Sequence, residues 1–300
     1  MRADVVSDDD TITVSVVMPA FNAAKTISRQ LDALARQTTE VRWELIVADN
    51  GSTDTTAEVV SRWAGTVPAL RVVDASDGRG PSYARNFGAR QATGELLLFC
   101  DADDVVDPGW IAAMVAAWRG GADLLGGRLD VETRNDPDVL MWRGPIQDTG
   151  LPVAYGFMPY SISANFGCTA EAFRRFNGFD ESILSASGED VDICWRAQMQ
   201  GYTLAFVPNA VVAYLFRHDL GGALRQALGY GASIPGLYKA YRDDGFPRPP
   251  LRQQARRIRR HLRKAPMLLQ GRGPRGWWLW QSAFLLGRLK GAIENRVLFW

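Results

Sequence analysis

The sequence predicts an α/β protein: a mainly parallel central sheet flanked by helices, with a helical C-terminal extension. Three observations carry this prediction. Apolar, β-branched runs alternate with stretches of helical period at intervals of roughly 20–30 residues. Three of those runs end in the polar clusters "PAFN", "ADNGSTD" and "CDADD", and parallel sheets bind ligands beyond the carboxyl ends of their strands. Beyond residue 220 the pattern is helical throughout.

The elements follow in order. "TVSVVMPAF" (13–21) reads as a buried strand broken by Pro19, and "AKTISRQLDALARQ" (24–37) as a helix with Ile27, Leu31, Leu34 and Ala35 on one face. "WELIVADN" (43–50) is a second strand; Ser52, Thr53 or Asp54 caps the helix after it. "LRVVDA" (70–75) is a third strand, "GPSYARNFGARQATG" (80–94) a Gly-bounded helix and "ELLLFC" (95–100) a fourth strand. A helix follows over 108–119, with Pro108 near its first turn. Residues 125–165 are irregular and rich in Gly and Pro. Helices are predicted over 170–177 and, opening on two acids, over 189–202; "LAFVPNAVVAYLF" is strand-like on both sides of Pro208.

Three hundred residues at 47% apolar content support a sizeable core, in one large domain with an appendage or in two small ones. The net charge of +1 excludes nothing, but its distribution is uneven. Thirteen of the 34 Lys/Arg and one of the 33 Asp/Glu, Glu294, lie beyond residue 244. An acidic body therefore carries a basic tail. Cys100, Cys168 and Cys194 form no CxxC, which points to reduced thiols rather than a disulfide framework or zinc site. The acidic start "MRADVVSDDDTITV" lacks the apolar stretch of a signal peptide, and no apolar run reaches the ~18 residues that span a bilayer. A cytoplasmic protein is the expectation.

Asp101, Asp103 and Asp104 crowd the end of the fourth strand, and like charges so close repel one another. A divalent cation with oxygen ligands turns that repulsion into binding; Mg²⁺ or Mn²⁺ completes its shell with water and substrate phosphates. The alternative is a solvated loop leading to the helix at Pro108. "LLLFCDADDVV" also fits the opening of haloacid-dehalogenase-like phosphatases, with Asp101 as nucleophile and Asp103 as acid/base. That motif belongs to a first strand, however, and here three strand-helix units precede it.

"VSVVMPAFNAAKTISRQLDALARQ", "ELIVADNGSTDTT", "ARNFGARQATGELLLFCDADD" and "GFDES…GEDVDICWRAQMQGY" resemble, in order and across residues 13–215, the family 2 glycosyltransferases of the GT-A fold. The resemblance implies a Rossmann-like sheet, a catalytic domain over 1–219 and a helical extension over 220–300. It implies transfer from a nucleotide-diphosphate sugar to a glycan, lipid-linked or small-molecule hydroxyl acceptor, as in cell-envelope polysaccharide biosynthesis. Pro19, Ala20 and Phe21 match the wall beside the nucleotide base, and Asp49 the acid on the base edge; an Asx-turn is the alternative for Asp49. Arg85 and Asn86 match positions near the diphosphate and sugar. Asp101, Ala102 and Asp103 match the DxD motif, Asp103 as direct metal ligand, while Asp104 is left to support the loop. Asp190, beside Glu189, matches the general base of an inverting displacement; N-capping is the alternative for both. Many relatives carry a His where this chain has Tyr214, and His218, four residues on, is the candidate metal ligand in its place. A non-catalytic fold of the same family is a further reading, opposed by retention of the DxD and Asp190.

The tail joins Arg256, Arg257, Arg259, Arg260 and Arg263 to Trp277, Trp278, Trp280 and an apolar segment. One expectation is peripheral attachment through 248–290 to the anionic inner face of the plasma membrane. The other is packing on the acidic body or on a second subunit in a homo-oligomer. No nucleic-acid-binding motif accompanies the basic run, so nucleic acid is not an expected partner.

Overall fold

The computed structural model describes residues 13–299, apart from 145, 147–148 and 184–186. The middle of the loop "GFDESILSASG" therefore lies outside the described residues, as does most of the acidic N-terminal stretch.

Four parallel strands form one half of an eight-stranded sheet: β1 (Val14–Ala20), β2 (Trp43–Asp49), β3 (Leu70–Asp74) and β4 (Leu96–Cys100). The helices between them are α1 (Ile27–Ala35), α2 (Thr56–Ser61) and α3 (Pro81–Gln91). The other half contains β5 (Val105–Val106), β6 (Leu124–Asp130), β7 (Asn165–Thr169) and β8 (Leu204–Ala213). The order across the sheet is β3-β2-β1-β4-β7-β6-β8-β5. β7 runs antiparallel to β4 and β6, and β5 antiparallel to β8; the remaining pairings are parallel. Between them lie α4 (Trp110–Arg119), α5 (Pro137–Arg143), α6 (Ala170–Arg175) and α7 (Glu189–Met199).

The period-two alternation of the strands divides the core. Val16, Met18, Leu96 and Leu98 face Ile27, Leu31 and Leu34 of α1 and Trp110 and Met114 of α4. Val17, Leu97 and Phe99 face the other way, onto Phe173, Phe176, Phe179 and Ile193. The parallel register sets Ala20 beside Asp49, so the "PAFN" and "ADNGSTD" loops leave from adjacent strand ends. The predicted cap of α2 is corrected in detail: Thr55 occupies the cap position, and Asp54 reaches back to accept the Thr56 N–H.

The irregular region contains two strands and a helix that the pattern did not reveal. β6 carries Gly126 and Gly127, and β7 carries Gly167. A Cβ at Gly127 would collide with the Asn165 side chain and the Ala210 carbonyl, and one at Gly167 with Leu98. Close packing demands glycine here, and glycine weakens the strand signal. Pro208 sits in a bulge: Gly127 pairs with Val207, and Arg128 with Val211.

The extension consists of α8 (Leu220–Tyr241), α9 (Leu251–Arg263) and α10 (Arg272–Glu294). α8 and α10 approach closely because Gly231, Gly287 and Gly291 leave no Cβ between their backbones. Both pack on the body. Trp280 joins Trp142 of α5 and Phe216, while Ile234, Leu237, Tyr241, Phe246 and Phe299 close over Val191 and Trp195 of α7. No helix among the described residues is long and apolar enough to cross a membrane.

Candidate active site

Asp101, Asp103 and Asp104 occupy the turn after β4. One ligand oxygen from each lies within 4.8 Å of the others. Gln30 of α1, wholly buried, fixes the turn: its Nε2 donates to the Asp101 carbonyl and its Oε1 accepts the Val106 N–H.

Cations answer part of the crowding. The buried Arg85, on α3, donates through Nη2 to Asp101 Oδ1 at 2.7 Å and through Nη1 to Glu189 Oε1 at 3.2 Å, with its guanidinium over the Phe179 ring. Burial works against the Arg85 charge, but Asp101 and Glu189 outweigh it and raise its pKa. Arg217, exposed, stands 3.8 Å from Asp103 and contributes little through water. Asp104 is fully buried: Oδ1 accepts the Leu215 N–H at 2.8 Å, whereas Oδ2 has no partner. Burial, then the charges of Asp103 and Asp101, push the Asp104 carboxyl well up. Burial and Asp101 likewise raise Asp103. Three hard oxygen donors, one of them an orphaned buried atom, fit a Mg²⁺ or Mn²⁺ ion.

Across the cavity stands the first turn of α7. Gly188 precedes it at φ +92°, a left-handed conformation that suits glycine. Asp190 accepts the N–H of Val191. Glu189 is buried, with Oε2 unpartnered. Burial first, then the neighbouring Asp190, push the Glu189 carboxyl up to about 8 against the opposing pull of Arg85. Burial raises Asp190 as well, opposed by the Val191 N–H and by Arg85.

Arg85, Asp101, Asp103, Glu189 and Asp190 open on one cavity of about 420 Å³. The rest of its lining is rich in aromatic side chains: Tyr155, Tyr160, Tyr214, Tyr230, Phe246 and Trp280. A larger hollow, of about 850 Å³, lies elsewhere, around Asn86, Arg90, Phe173, Glu181 and Arg196. None of the β4-end acids lines it, so the smaller cavity is the candidate site.

The remaining expected residues fall as follows. Asn86 exchanges hydrogen bonds with the Phe179 backbone and donates to Glu181, so it pins the loop after α6 and faces the larger hollow. Pro19, Ala20 and the largely exposed Phe21 stand at the end of β1, outside the cavity lining. Asp49, beside them, accepts the N–H of Ser52, three residues on, through Oδ1, and so holds the loop rather than closing an Asx-turn, which would bond two residues on. Ala102 is buried between the two acids. His218 is exposed, its carbonyl accepts from Arg272, and it stands outside the three-acid group. Tyr214, in the place where a His was expected, lines the cavity. Sequence reasoning missed Arg143, Tyr160, Tyr230 and Gln30. Only the tertiary fold assembles them, and no local spacing announces them.

Residues 15–176 match the family described as Glycosyl transferase family 2, and residues 96–287 match Glycosyl transferase family group 2. The validoxylamine A glucosyltransferase of Streptomyces hygroscopicus subsp. jinggangensis (strain 5008) is 33% identical over 218 residues, 63% of this chain and 52% of that protein. The pre-mycofactocin glycosyltransferase of Mycobacterium tuberculosis (strain CDC 1551 / Oshkosh) is 26% identical over 287 residues, 93% of this chain and 55% of that protein. The chain thus spans about half the length of these curated relatives. Among solved structures, the mannosyltransferase PcManGT of Pyrobaculum calidifontis, in complex with GDP-Man and Mn²⁺, matches with a TM-score of 0.62 at 20% identity, over 98% of this chain and 91% of that one. This likeness shows the fold: the GT-A arrangement expected from the sequence is present.

Proposed function

The chain belongs to glycosyl transferase family 2, and on that footing we propose that it transfers a sugar from a nucleoside-diphosphate sugar to a hydroxyl acceptor, with inversion at the anomeric carbon. One observation carries the reading. Asp101, Asp103 and the Asp190 carboxylate open on the same cavity, and Arg85 ties the two sides together through Asp101 and Glu189.

A divalent cation held by Asp103 and Asp101, with the free oxygen of Asp104 beside them, would neutralise charge on the departing diphosphate. Asp190 takes the proton of the acceptor hydroxyl. The acceptor oxygen bonds to the anomeric carbon as that carbon's bond to the phosphate oxygen breaks, and the electron pair leaves with the diphosphate. Asp49, through Oδ2, and Pro19, Ala20 and Phe21 are assigned to the nucleotide base. His218, the expected metal ligand, stands apart from the acids, and Arg217, the cation beside Asp103, is assigned to a donor phosphate. In this reading 1–219 is the catalytic unit and 220–300 its extension, with Tyr230 and Trp280 completing the cavity wall.

Calorimetric titration with UDP-, GDP- and dTDP-sugars, with and without Mn²⁺, tests the reading. One donor is expected to bind, more tightly with Mn²⁺, and Asp103→Ala is expected to remove the Mn²⁺ dependence. Silence from every donor would leave the non-catalytic reading standing. Hydrolysis of small phosphoesters, lost in Asp101→Asn, would restore the phosphatase.

We also propose peripheral attachment of this enzyme to the anionic inner face of the plasma membrane, where an envelope glycan or lipid-linked acceptor would be met. What supports it is α9. Gln254, Ile258 and His261 turn inward, whereas Arg252, Arg256, Arg259, Arg260 and Arg263 share the exposed stripe. None of these five has a carboxylate in ion-pair range among the described residues. Near an anionic surface each contributes about 1 kcal/mol, and the exposed Leu262 and Leu269 flank the stripe. The full chain is expected to sediment with phosphatidylserine vesicles, and Arg256→Glu/Arg260→Glu to stay in the supernatant. Equal sedimentation of the two proteins would remove the membrane and leave an interface between subunits.

A further inference from the structure

Arg143, the last residue of α5, has a setting that the proposed transfer leaves unexplained. Its guanidinium stands over three rings, 5.4 Å from Tyr214, 4.9 Å from Phe216 and 5.0 Å from Tyr230. Rings stabilise a cation across its faces, and the Tyr214 hydroxyl also supports the charge, but together they leave part of the N–H fork unused. Nη1 is buried and has no hydrogen-bond partner, and no carboxylate among the described residues lies in ion-pair range. A guanidinium does not shed its proton, so this half-buried position keeps its charge with one N–H unsatisfied, and among the described residues the carboxylates of Asp104 and Asp190 act on it only through space.

The contrast with Arg288 shows what is particular here. Arg288 is buried, beside Phe299 and Tyr155, with Nε and Nη2 unpartnered. It sits in the packing beneath α9, bonds Gln254 Oε1 and lines no cavity. Arg143 lines the same cavity as Asp190, Asp101 and Asp103. A cation that faces a ligand cavity with an unsatisfied N–H, and with no carboxylate in ion-pair contact among the described residues, suits a ligand oxyanion, and a planar guanidinium suits phosphate best.

We propose that Arg143 binds a phosphate group of a substrate, which it holds against the Tyr214–Tyr230 wall of the cavity. The proposal rests on the glycosyl-transfer reading and deepens it. The phosphate comes from one of two sources: the donor's diphosphate, or an acceptor that itself carries phosphate. In both cases Arg143 is a specificity-determining contact rather than a catalytic residue.

The test compares wild type, Arg143→Met and Arg143→Lys. Affinities for UDP, GDP and their nucleosides are measured by calorimetry with Mn²⁺. Stabilisation by inorganic phosphate is followed by thermal unfolding against matched chloride, with and without saturating nucleotide. If the donor supplies the phosphate, Arg143→Met weakens the diphosphate by about tenfold or more and leaves the nucleoside unchanged. If the acceptor supplies it, nucleotide affinity is kept, and the stabilisation by phosphate of nucleotide-saturated protein disappears in Arg143→Met. Arg143→Lys retains part of either effect. Unchanged affinity for the nucleotides together with an unchanged phosphate response in Arg143→Met overturns the proposal. So does a wild type that phosphate stabilises no more than chloride and that binds the diphosphates no better than the nucleosides, a comparison that does not depend on the variant folding. Failure of both nucleotides to bind counts against the transfer reading alone, because phosphate still reads Arg143 in the nucleotide-free protein.

Discussion

Asp190→Asn is expected to lower transfer by about 10²–10⁴-fold, the usual worth of a positioned general base, while donor affinity stays within about twofold of wild type. The substitution is nearly isosteric. The one hydrogen bond recorded for the carboxylate, accepted from the Val191 N–H, survives on an amide oxygen, so the first turn of α7 keeps its shape. What is lost is the capacity to take a proton from the acceptor. Glu189 does not replace it: one of its oxygens is held by Arg85 and the other is buried. The pH dependence supplies an independent reading. Burial raises both carboxyls, and Asp190 drives Glu189 to about 8. A raised carboxylate pKa keeps the neutral acid to higher pH, and a base works only when ionised, so wild-type transfer is expected to fall on acidification at a pH above the ordinary aspartate range. That acid limb should vanish in Asp190→Asn, whose residual rate is flat there. Near-wild-type turnover with an intact acid limb would remove Asp190 from the base role.

The parts of the molecule legible in the sequence share a physical cause. β1, β2 and β4 are continuous apolar runs that stop at turn- and cap-forming residues, so both their burial and the rim of polar groups at their ends are written locally. β6 and β7 are not, because Gly126, Gly127 and Gly167 are required by close approach to side chains far along the chain. Arg85 was visible as a residue but its bonding was not, since its carboxylate partners lie 16 and 104 positions away. Asn86 shows the converse. Its neighbour on α3 turns into the cavity, whereas Asn86 itself is taken up by the Phe179 backbone on the other side of the helix. Arg143 lies in a stretch without period, and its environment comes from the segment after β8 and from α8. Local pattern therefore located the acids of the site, and the cations that set their charge had to be read from the fold.

Arg85→Met is expected to cost about 3–5 kcal/mol in unfolding free energy, because it removes the cation that the buried Glu189 shares with the half-buried Asp101. Asp101 and Glu189 come from different elements, the turn after β4 and the first turn of α7, and Arg85 is the group that bonds both. Without it, Glu189 keeps its burial and the nearby charge of Asp190 and loses its one opposing cation. The deficit carries a pH signature whose sign follows from linkage. Removal of Arg85 takes away the charge that opposes the raised pKa of Glu189, so in the variant the folded state holds that proton to still higher pH than the unfolded chain does. Stability then falls as pH rises through that raised value, and the deficit is larger in alkaline than in mildly acidic solution. Urea unfolding of both proteins across that range measures this directly. Adding Glu189→Gln to Arg85→Met should recover part of the loss, since it removes the carboxylate left unpaired. A deficit under about 1 kcal/mol, or one indifferent to pH, would mean that water already screens these charges. The Asp101–Arg85–Glu189 link would then be a surface ion pair in effect, unable to hold the two sides of the cavity in register.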